Sequence, residues 1–134
     1  MFALDTNSIS YYFRGEPAAV NGMQALPPSQ LSIPSVVIYE LKFGLMRLPD
    51  EAAAPRLQAL AQFISAIKTL PFDDASASAA ATIRADLERA GEGIGRHDVL
   101  IAATALANGA TLITRNTREF SRVSGLTVLN WYDN

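Results

Sequence analysis

The chain has 134 residues, of which 49% are apolar, and eleven Lys and Arg against thirteen Asp and Glu give a formal net charge of −2. This length and balance are typical of one globular domain and exclude wholesale disorder. The lack of cysteine excludes disulfides, zinc–thiolate sites and thiol nucleophiles. The single His97 excludes a histidine-rich metal site and disfavours a Ser-His-Asp triad.

Secondary structure alternates regularly along the chain. The predicted strands are residues 1–4, 31–33, 70–72, 111–114 and 126–129. The predicted helices are residues 7–13, 18–26, 34–47, 50–69, 75–90, 97–108 and 115–120. Pro34 suits a first helical turn, Asp50 and either Asp73 or Asp74 are candidate N-caps, and Gly91 ends a helix.

This alternation predicts an α/β fold, with a mainly parallel sheet of four to five strands flanked by helices. No linker or repeat divides the chain, so residues 1–134 are predicted to form one domain. No apolar run approaches the roughly 18 residues of a membrane span, and the first five residues lack the basic start of a signal peptide. We therefore expect a cytoplasmic protein without a membrane partner.

Asp5 lies at the carboxyl end of the first predicted strand. In open α/β sheets, functional sites form beyond the carboxyl ends of strands, which makes Asp5 a candidate site residue. Asp is also a common helix N-cap, and Asp5 directly precedes a predicted helix. The sequence leaves both interpretations open.

Glu40 has mainly apolar helical neighbours, namely Val36, Val37, Phe43 and Gly44. This pattern predicts a carboxylate on or beside the buried face, where an unpaired charge costs several kcal/mol, very roughly. A cation, an Arg or a metal ion would compensate. The alternative is a Glu at the margin of the apolar stripe that reaches water.

Asp98 opens the helix over 97–108, and Glu119 follows the strand over 111–114. An acid in a first helical turn is favoured by the helix dipole alone, so Asp98 also has a structural explanation. If these two acids meet Asp5 and Glu40 at one edge of the sheet, however, their charges repel one another. Mg²⁺ or Mn²⁺ would remove that conflict, because these hard cations prefer oxygen ligands. Together the four acids indicate metal-assisted hydrolysis of a phosphodiester.

Four segments carry a family resemblance. They are residues 4–7 (LDTN), 39–44 (YELKFG), 97–103 (HDVLIAA) and 114–120 (TRNTREF). In order and spacing they resemble the four motifs of PIN-domain ribonucleases. The short chain and the GIGRHD segment at residues 93–98 most resemble the VapC toxins of VapBC toxin–antitoxin pairs.

The resemblance implies a PIN-like fold and a site for Mg²⁺ or Mn²⁺. It implies that Asp5 and Asp98 are direct ligands, and that Glu40 is a ligand directly or through water. Thr6 resembles the hydroxyl that orients a ligand or water in this family, although a turn-forming hydroxyl explains it equally well.

Asn116 departs from the family pattern, because many relatives carry Asp at this place. An Asn offers only a neutral oxygen, so one charged ligand is lost. Glu119, three residues later, is the candidate replacement.

Basic residues concentrate in the second half of the chain. Arg96, Arg115 and Arg118 lie within a few residues of candidate site acids, so we predict a local phosphate-binding rim despite the acidic total. Arg84 and Arg89 are instead expected to be ordinary solvated residues paired with nearby acids.

The resemblance also implies partners. It implies a structured RNA substrate, with a tRNA anticodon loop as the leading case, an antitoxin protein that binds an apolar surface, and a homodimer. Phe43, Met46 and Leu48 are candidates for an exposed groove, with core packing as the simpler alternative.

Two rival functions stay open at this point. A phosphatase of the haloacid dehalogenase type would use Asp5 as nucleophile, but such enzymes carry a second Asp where this chain has Asn7. A non-catalytic binding domain would use the acids only to cap helices. The glycines of residues 91–95 lack the spacing of a dinucleotide-binding loop, and they are better explained as a loop that lets Asp98 approach the site.

Overall fold

Five short strands form one parallel sheet in the computed structural model, which describes residues 1–133. The strands are β1 (Phe2–Leu4), β2 (Leu31–Pro34), β3 (Lys68–Leu70), β4 (Thr111–Ile113) and β5 (Val128–Leu129). Their order across the sheet is β3-β2-β1-β4-β5, and every neighbouring pair is parallel. The predicted fold class is confirmed.

Helices fill the connections between the strands. They are α1 (Thr6–Phe13), α2 (Pro17–Gln24), α3 (Ser35–Met46), α4 (Asp50–Ser65), α5 (Asp74–Ala90), α6 (Arg96–Ala107) and α7 (Thr117–Phe120), and a 3-10 turn, Pro28–Gln30, precedes β2. Across residues 1–133, none of the helices combines the length and the hydropathy needed to cross a bilayer.

The core lies at the central strands and at α6. Leu4, Ile33 and Leu112 are fully buried, and each contributes about 1.5–3 kcal/mol on leaving water. Helix α6 is unusually buried because most of its middle residues, including Ala102 and Ala103, have small side chains. Helix α5 packs against it, and this contact fixes the position of the start of α6.

The third strand differs most from its prediction. It spans Lys68–Leu70 rather than residues 70–72, and α4 accordingly ends at Ser65 rather than at residue 69. Strand β3 lies at an edge of the sheet, so Lys68 and Thr69 are exposed and the apolar pattern does not mark it. Pro71 lacks the N–H that a ladder needs, which disfavours continuation of the strand.

Three helix starts can be compared with their predicted signals. Pro34 ends β2 rather than beginning a helix, and Pro49 takes the N-cap position that was predicted for Asp50. Asp73 is an N-cap as predicted, since its Oδ1 accepts a hydrogen bond from the Ser76 N–H at 2.9 Å. The other elements differ from the predicted bounds by at most two residues at either end.

The strand order creates a switch point between β1 and β4. From β1 at the centre, the chain adds β2 and β3 on one side and then β4 and β5 on the other. Loops that follow β1 and β4 therefore diverge and leave a crevice at the carboxyl ends of these strands, where ligands bind in such sheets. Asp5 directly follows β1, and Thr114 directly follows β4.

Candidate active site

Asp5 is buried at the switch point, with only 5% of its surface exposed. Its Oδ1 accepts a hydrogen bond from the Ser8 N–H at 2.8 Å, so it caps α1 as the structural interpretation predicted. Burial raises the pKa of the Asp5 carboxyl and the charge of Glu40 raises it further, although hydrogen bonds from Ser8 and Thr114 oppose the shift. Capping and a site role are therefore compatible at this residue.

Glu40 on α3 is held from two sides. The Thr6 hydroxyl donates to Oε1 at 2.6 Å, and Nδ1 of His97 lies 3.1 Å from Oε2. A carboxylate has no proton to give, so the tautomer with a proton on Nδ1 donates this second bond. Helices α1 and α6 thus fix the orientation of an acid carried by α3.

The surroundings of Glu40 are more open than its sequence neighbours predicted. Val37 is fully buried, but Phe43 is 56% exposed and Gly44 has open space around its Cα. The Glu40 side chain itself is 26% exposed. The Glu40 carboxylate therefore lies beside the buried face, at its margin with the crevice, which is the position that both interpretations of the sequence allowed.

Asp98 lies in the first turn of α6 and is half-buried. Its pKa is raised from 3.8 to about 6, first by burial and then by the charges of Glu40, Glu119 and Asp5, while His97 opposes the shift. Four acids from four separate stretches of the chain therefore act on one region of space.

Gly95 makes room for the Asp98 carboxylate. A Cβ placed on Gly95 would lie 3.1 Å from Oδ2 of Asp98, which is closer than side chains normally pack. Gly91 ends α5 with a φ of 68°, in the left-handed region that favours glycine. This agrees with the interpretation of residues 91–95 as a loop that gives Asp98 access to the crevice.

Asn116 and Glu119 differ in how they relate to the acids. The Asn116 N–H donates to Oγ1 of Thr114 at 3.0 Å, and within residues 1–133 its side chain makes no capping bond to α7. The charge of Glu119 acts on Asp98. Glu119 is thus the better-supported of the two, but its role as a ligand stays a prediction.

The donor set fits a hard divalent cation in its chemistry, because it consists of carboxylate oxygens. The geometry is not that of an assembled metal site: in the part of the chain that the structure describes, no three His, Asp or Glu side chains are grouped so that they could hold one ion. Glu40 instead bonds to Thr6 and His97. The four-ligand site therefore stays a prediction.

The Arg residues fall into two groups, as the sequence predicted. On α5, Arg84 pairs with Glu88 at 3.0 Å and Arg89 pairs with Asp86 at 2.9 Å. Arg96, Arg115 and Arg118 are exposed, and none of them has an ion-pair partner within residues 1–133. A role of these three in RNA binding stays a prediction.

Sequence reasoning missed Ser8, Thr114 and His97 as site residues. Ser8 is three residues after Asp5, which is the spacing of an N-cap bond, so this contact was predictable. Thr114 follows β4, and only the strand order places it beside Asp5. His97 contacts Glu40 across 57 positions of sequence, and no local pattern predicts such a pair.

Known proteins resemble this chain over almost its full length. The PIN domain family matches residues 2–126. The chain belongs to the PIN-domain family. Its relatives include the tRNA(fMet)-specific endonuclease VapC of Shigella flexneri, which is 35% identical over 130 residues that cover 97% of each chain.

Solved structures agree with this assignment. The toxin–antitoxin complex VapBC2 from Rickettsia felis, bound to a DNA fragment from its promoter, contains a chain with a TM-score of 0.88 and 30% identity, covering 97% of this chain and 98% of that one. FitAcB from Neisseria gonorrhoeae gives a TM-score of 0.91 at 29% identity over 100% of both chains. The predicted resemblance of this PIN domain to VapC is confirmed.

Proposed function

We propose that this PIN domain is a toxin of the VapC type, a metal-dependent endoribonuclease that hydrolyses phosphodiester bonds in structured RNA. The observation that supports this most is the electrostatic coupling of Asp98 to Glu40, Glu119 and Asp5 at the switch point of the sheet. Repelling carboxylates in a crevice are stabilised best by a cation that the chain itself does not supply.

In this proposal Asp5, Asp98, Glu40 and Glu119 hold Mg²⁺ or Mn²⁺. A bound ion would supply an activated water and would stabilise the charge that develops on the phosphate. Thr6 keeps Glu40 in place through the 2.6 Å hydrogen bond. Asn116 is proposed only as a neutral neighbour of the site.

Arg96, Arg115 and Arg118 supply positive charge around the acids. All three are exposed, so their side chains can reach phosphates of a bound strand. A local basic rim explains how a chain of net charge −2 would bind RNA.

For the substrate, we propose a tRNA cleaved in its anticodon loop. The Shigella relative is named as specific for tRNA(fMet), at 35% identity. Single-stranded loops expose bases and backbone that an open crevice can accept, whereas a duplex hides its bases.

For the partner, we propose an antitoxin protein that binds an apolar surface and blocks the toxin. The neighbouring solved structures are VapBC complexes. On α3, Tyr39, Phe43 and Met46 are 56%, 56% and 64% exposed, whereas Leu48 is half-buried. The first three side chains form an apolar strip that suits such a partner. A homodimer and a cytoplasmic location stay predictions.

The two rival functions have less support. A phosphatase of the haloacid dehalogenase type would carry a second Asp two residues after Asp5, but that position is Asn7. A binding domain without catalysis would give no reason for acids that raise the pKa of Asp98. Metal-dependent cleavage separates both rivals from the proposal.

The test is cleavage of transcribed tRNA with added Mn²⁺, measured for the wild type, Asp5→Asn and Asp98→Asn. We expect both variants to fold, as measured by circular dichroism, and to lose cleavage. EDTA should stop the wild type, and Mn²⁺ in excess should restore it. Asp86→Asn on α5 is the matched control and should cleave like the wild type. Full cleavage by both site variants would defeat the proposal.

A further inference from the structure

The last described residues fold back over α1 and α2. Trp131 packs directly on Gly22, since a Cβ at Gly22 would lie 2.3 Å from the indole ring. The Tyr132 hydroxyl donates to Oε1 of Glu16 at 2.7 Å, and the Tyr132 N–H donates to Oδ1 of Asn130 at 2.9 Å. These contacts fix the position of the Tyr132 ring.

Arg115 lies on that ring. Its Cζ is 4.0 Å from the centroid of Tyr132, which is a stacking distance, and 5.6 Å from the centroid of Tyr11. The two tyrosine rings meet edge to face, with centroids 5.6 Å apart. Arg115 is exposed and, within residues 1–133, forms no ion pair.

The group formed by Arg115, Tyr132 and Tyr11 lies next to the acids in the sheet. Arg115 follows Thr114, whose hydroxyl contacts Asp5, and Tyr132 follows the end of β5. Strands β1, β4 and β5 are neighbours and end at the same edge of the sheet. Neighbouring strands are about 4.8 Å apart, so the group is within reach of nucleotides that flank a phosphate bound at the acids.

We infer that Arg115 and Tyr132 form a base-stacking platform for a nucleobase of the RNA strand next to the cleaved phosphodiester. This inference rests on the proposed function and adds a subsite to it. Unstacked RNA bases stack on aromatic rings and on Arg guanidinium planes. Such stacking changes affinity by about tenfold to a hundredfold per base.

Simpler roles for Arg115 and for Tyr132 predict different results from the platform. If Arg115 only neutralises a phosphate, then Arg115→Lys preserves binding, because Lys keeps the charge and loses only the planar guanidinium. If Tyr132 only holds the carboxyl-terminal segment in place, then its loss affects stability and leaves the contribution of the bases unchanged.

The test measures RNA affinity by fluorescence anisotropy in Mg²⁺ buffer. Every protein carries Asp98→Asn, so that the RNA stays intact, and a gel of the recovered RNA reports any cleavage. The probes are a labelled single-stranded RNA and the same strand with abasic sites at its centre. The variants are Arg115→Lys and Tyr132→Leu. The matched control is Arg89→Lys, which changes an Arg paired on α5.

We expect both variants to bind the intact strand about tenfold more weakly and the abasic strand within about twofold of the parent, since only the intact strand can stack. The control should match the parent on both strands. Arg115→Lys leaves Tyr132 and its contacts in place, so it decides the result if Tyr132→Leu unfolds. Equal losses on both strands, no loss in Arg115→Lys, or no RNA binding by the parent would overturn the platform. Cleavage on the gel would instead count against the role of Asp98 in the proposed function.

Discussion

Two regions of the molecule carry many charges and arrange them differently. On α5, Arg84 with Glu88 and Arg89 with Asp86 form ion pairs three or four positions apart on an exposed surface. At the carboxyl edge of the sheet, acids from distant parts of the chain approach one another. Burial raises the pKa of Asp98, and the charges of these acids raise it further, to about 6.

The two regions differ in whether other residues of the chain neutralise their charges. The charges of α5 are neutralised within one helix and are screened by water, so each pair contributes little. Within residues 1–133, the imidazole of His97 is the only basic side chain paired with the acids at the sheet edge. Changes at the sheet edge should therefore have large effects on activity, and equivalent changes on α5 should have small ones.

Glu40→Gln should have the largest effect among single changes that leave Asp5 and Asp98 intact. The amide keeps the shape of the side chain but loses its charge, so metal-dependent cleavage should fall about 100-fold, as at other metal sites whose supporting ligands change. Initial cleavage rates at saturating Mn²⁺ measure this. Glu88→Gln on α5 is the control, and an equal loss in both variants would break the comparison.

Thr6→Val should come next. It removes the 2.6 Å hydrogen bond to Glu40 while keeping a similar shape, so cleavage should fall about tenfold. Thr6→Ser keeps the hydroxyl and should stay close to the wild type. If Thr6→Ser cleaves as slowly as Thr6→Val, then cleavage depends on the methyl group and not on the hydrogen bond.

Asp98→Asn should stabilise the metal-free protein near neutral pH. The pKa of Asp98 is about 6 in the folded chain and 3.8 by itself, so its contribution to stability is fully present below about pH 3.8 and is lost as the pH rises through about 6. After allowance for solvent screening of a half-exposed carboxyl, removal of the charge should raise the free energy of unfolding by about 1 kcal/mol, which corresponds to about 3 °C in Tm.

Thermal melts in EDTA between about pH 4 and pH 7.5 measure this gain. The difference from the wild type should shrink toward the acidic end, where Asp98 is protonated in the folded chain and only partly ionised in the unfolded chain. A variant that melts no higher than the wild type at the neutral end would contradict the coupling of the acids.

Glu88→Gln should have the smallest effect. Both side chains of the Arg84–Glu88 pair are more than half exposed. The free energy of unfolding, measured by chemical denaturation, should therefore fall by less than about 0.5 kcal/mol. Cleavage should not change. A loss several times larger would show that charge pairs on α5 matter as much as the acids at the sheet edge.

Local sequence patterns predicted most of the elements and failed where the three-dimensional context decides. The apolar runs of β1 and β4 and the Asp73 cap were predictable because they depend on neighbours in the chain. Strand β3 was misplaced because an edge strand exposes polar residues such as Lys68. Its position depends on pairing with β2, which no local pattern encodes.

The same limit applies to the site. Asp5 and Asp98 were predicted from their places at a strand end and a helix start, and Glu40 was predicted from its apolar helical neighbours. The family resemblance joined the three. The contact of His97 with Glu40 and the stacking of Arg115 on Tyr132 link residues far apart in sequence. Such contacts follow from the strand order and were not predictable from spacing.

Calorimetric titration of Mn²⁺ into the wild type, Asp98→Asn and Asp86→Asn tests the central claim most directly. If the acids at the sheet edge need an external cation, the wild type and Asp86→Asn should bind Mn²⁺ saturably and equally, and Asp98→Asn should lose that binding. A wild type that takes up no Mn²⁺, or an Asp98→Asn variant that binds as tightly as the wild type, would contradict the account.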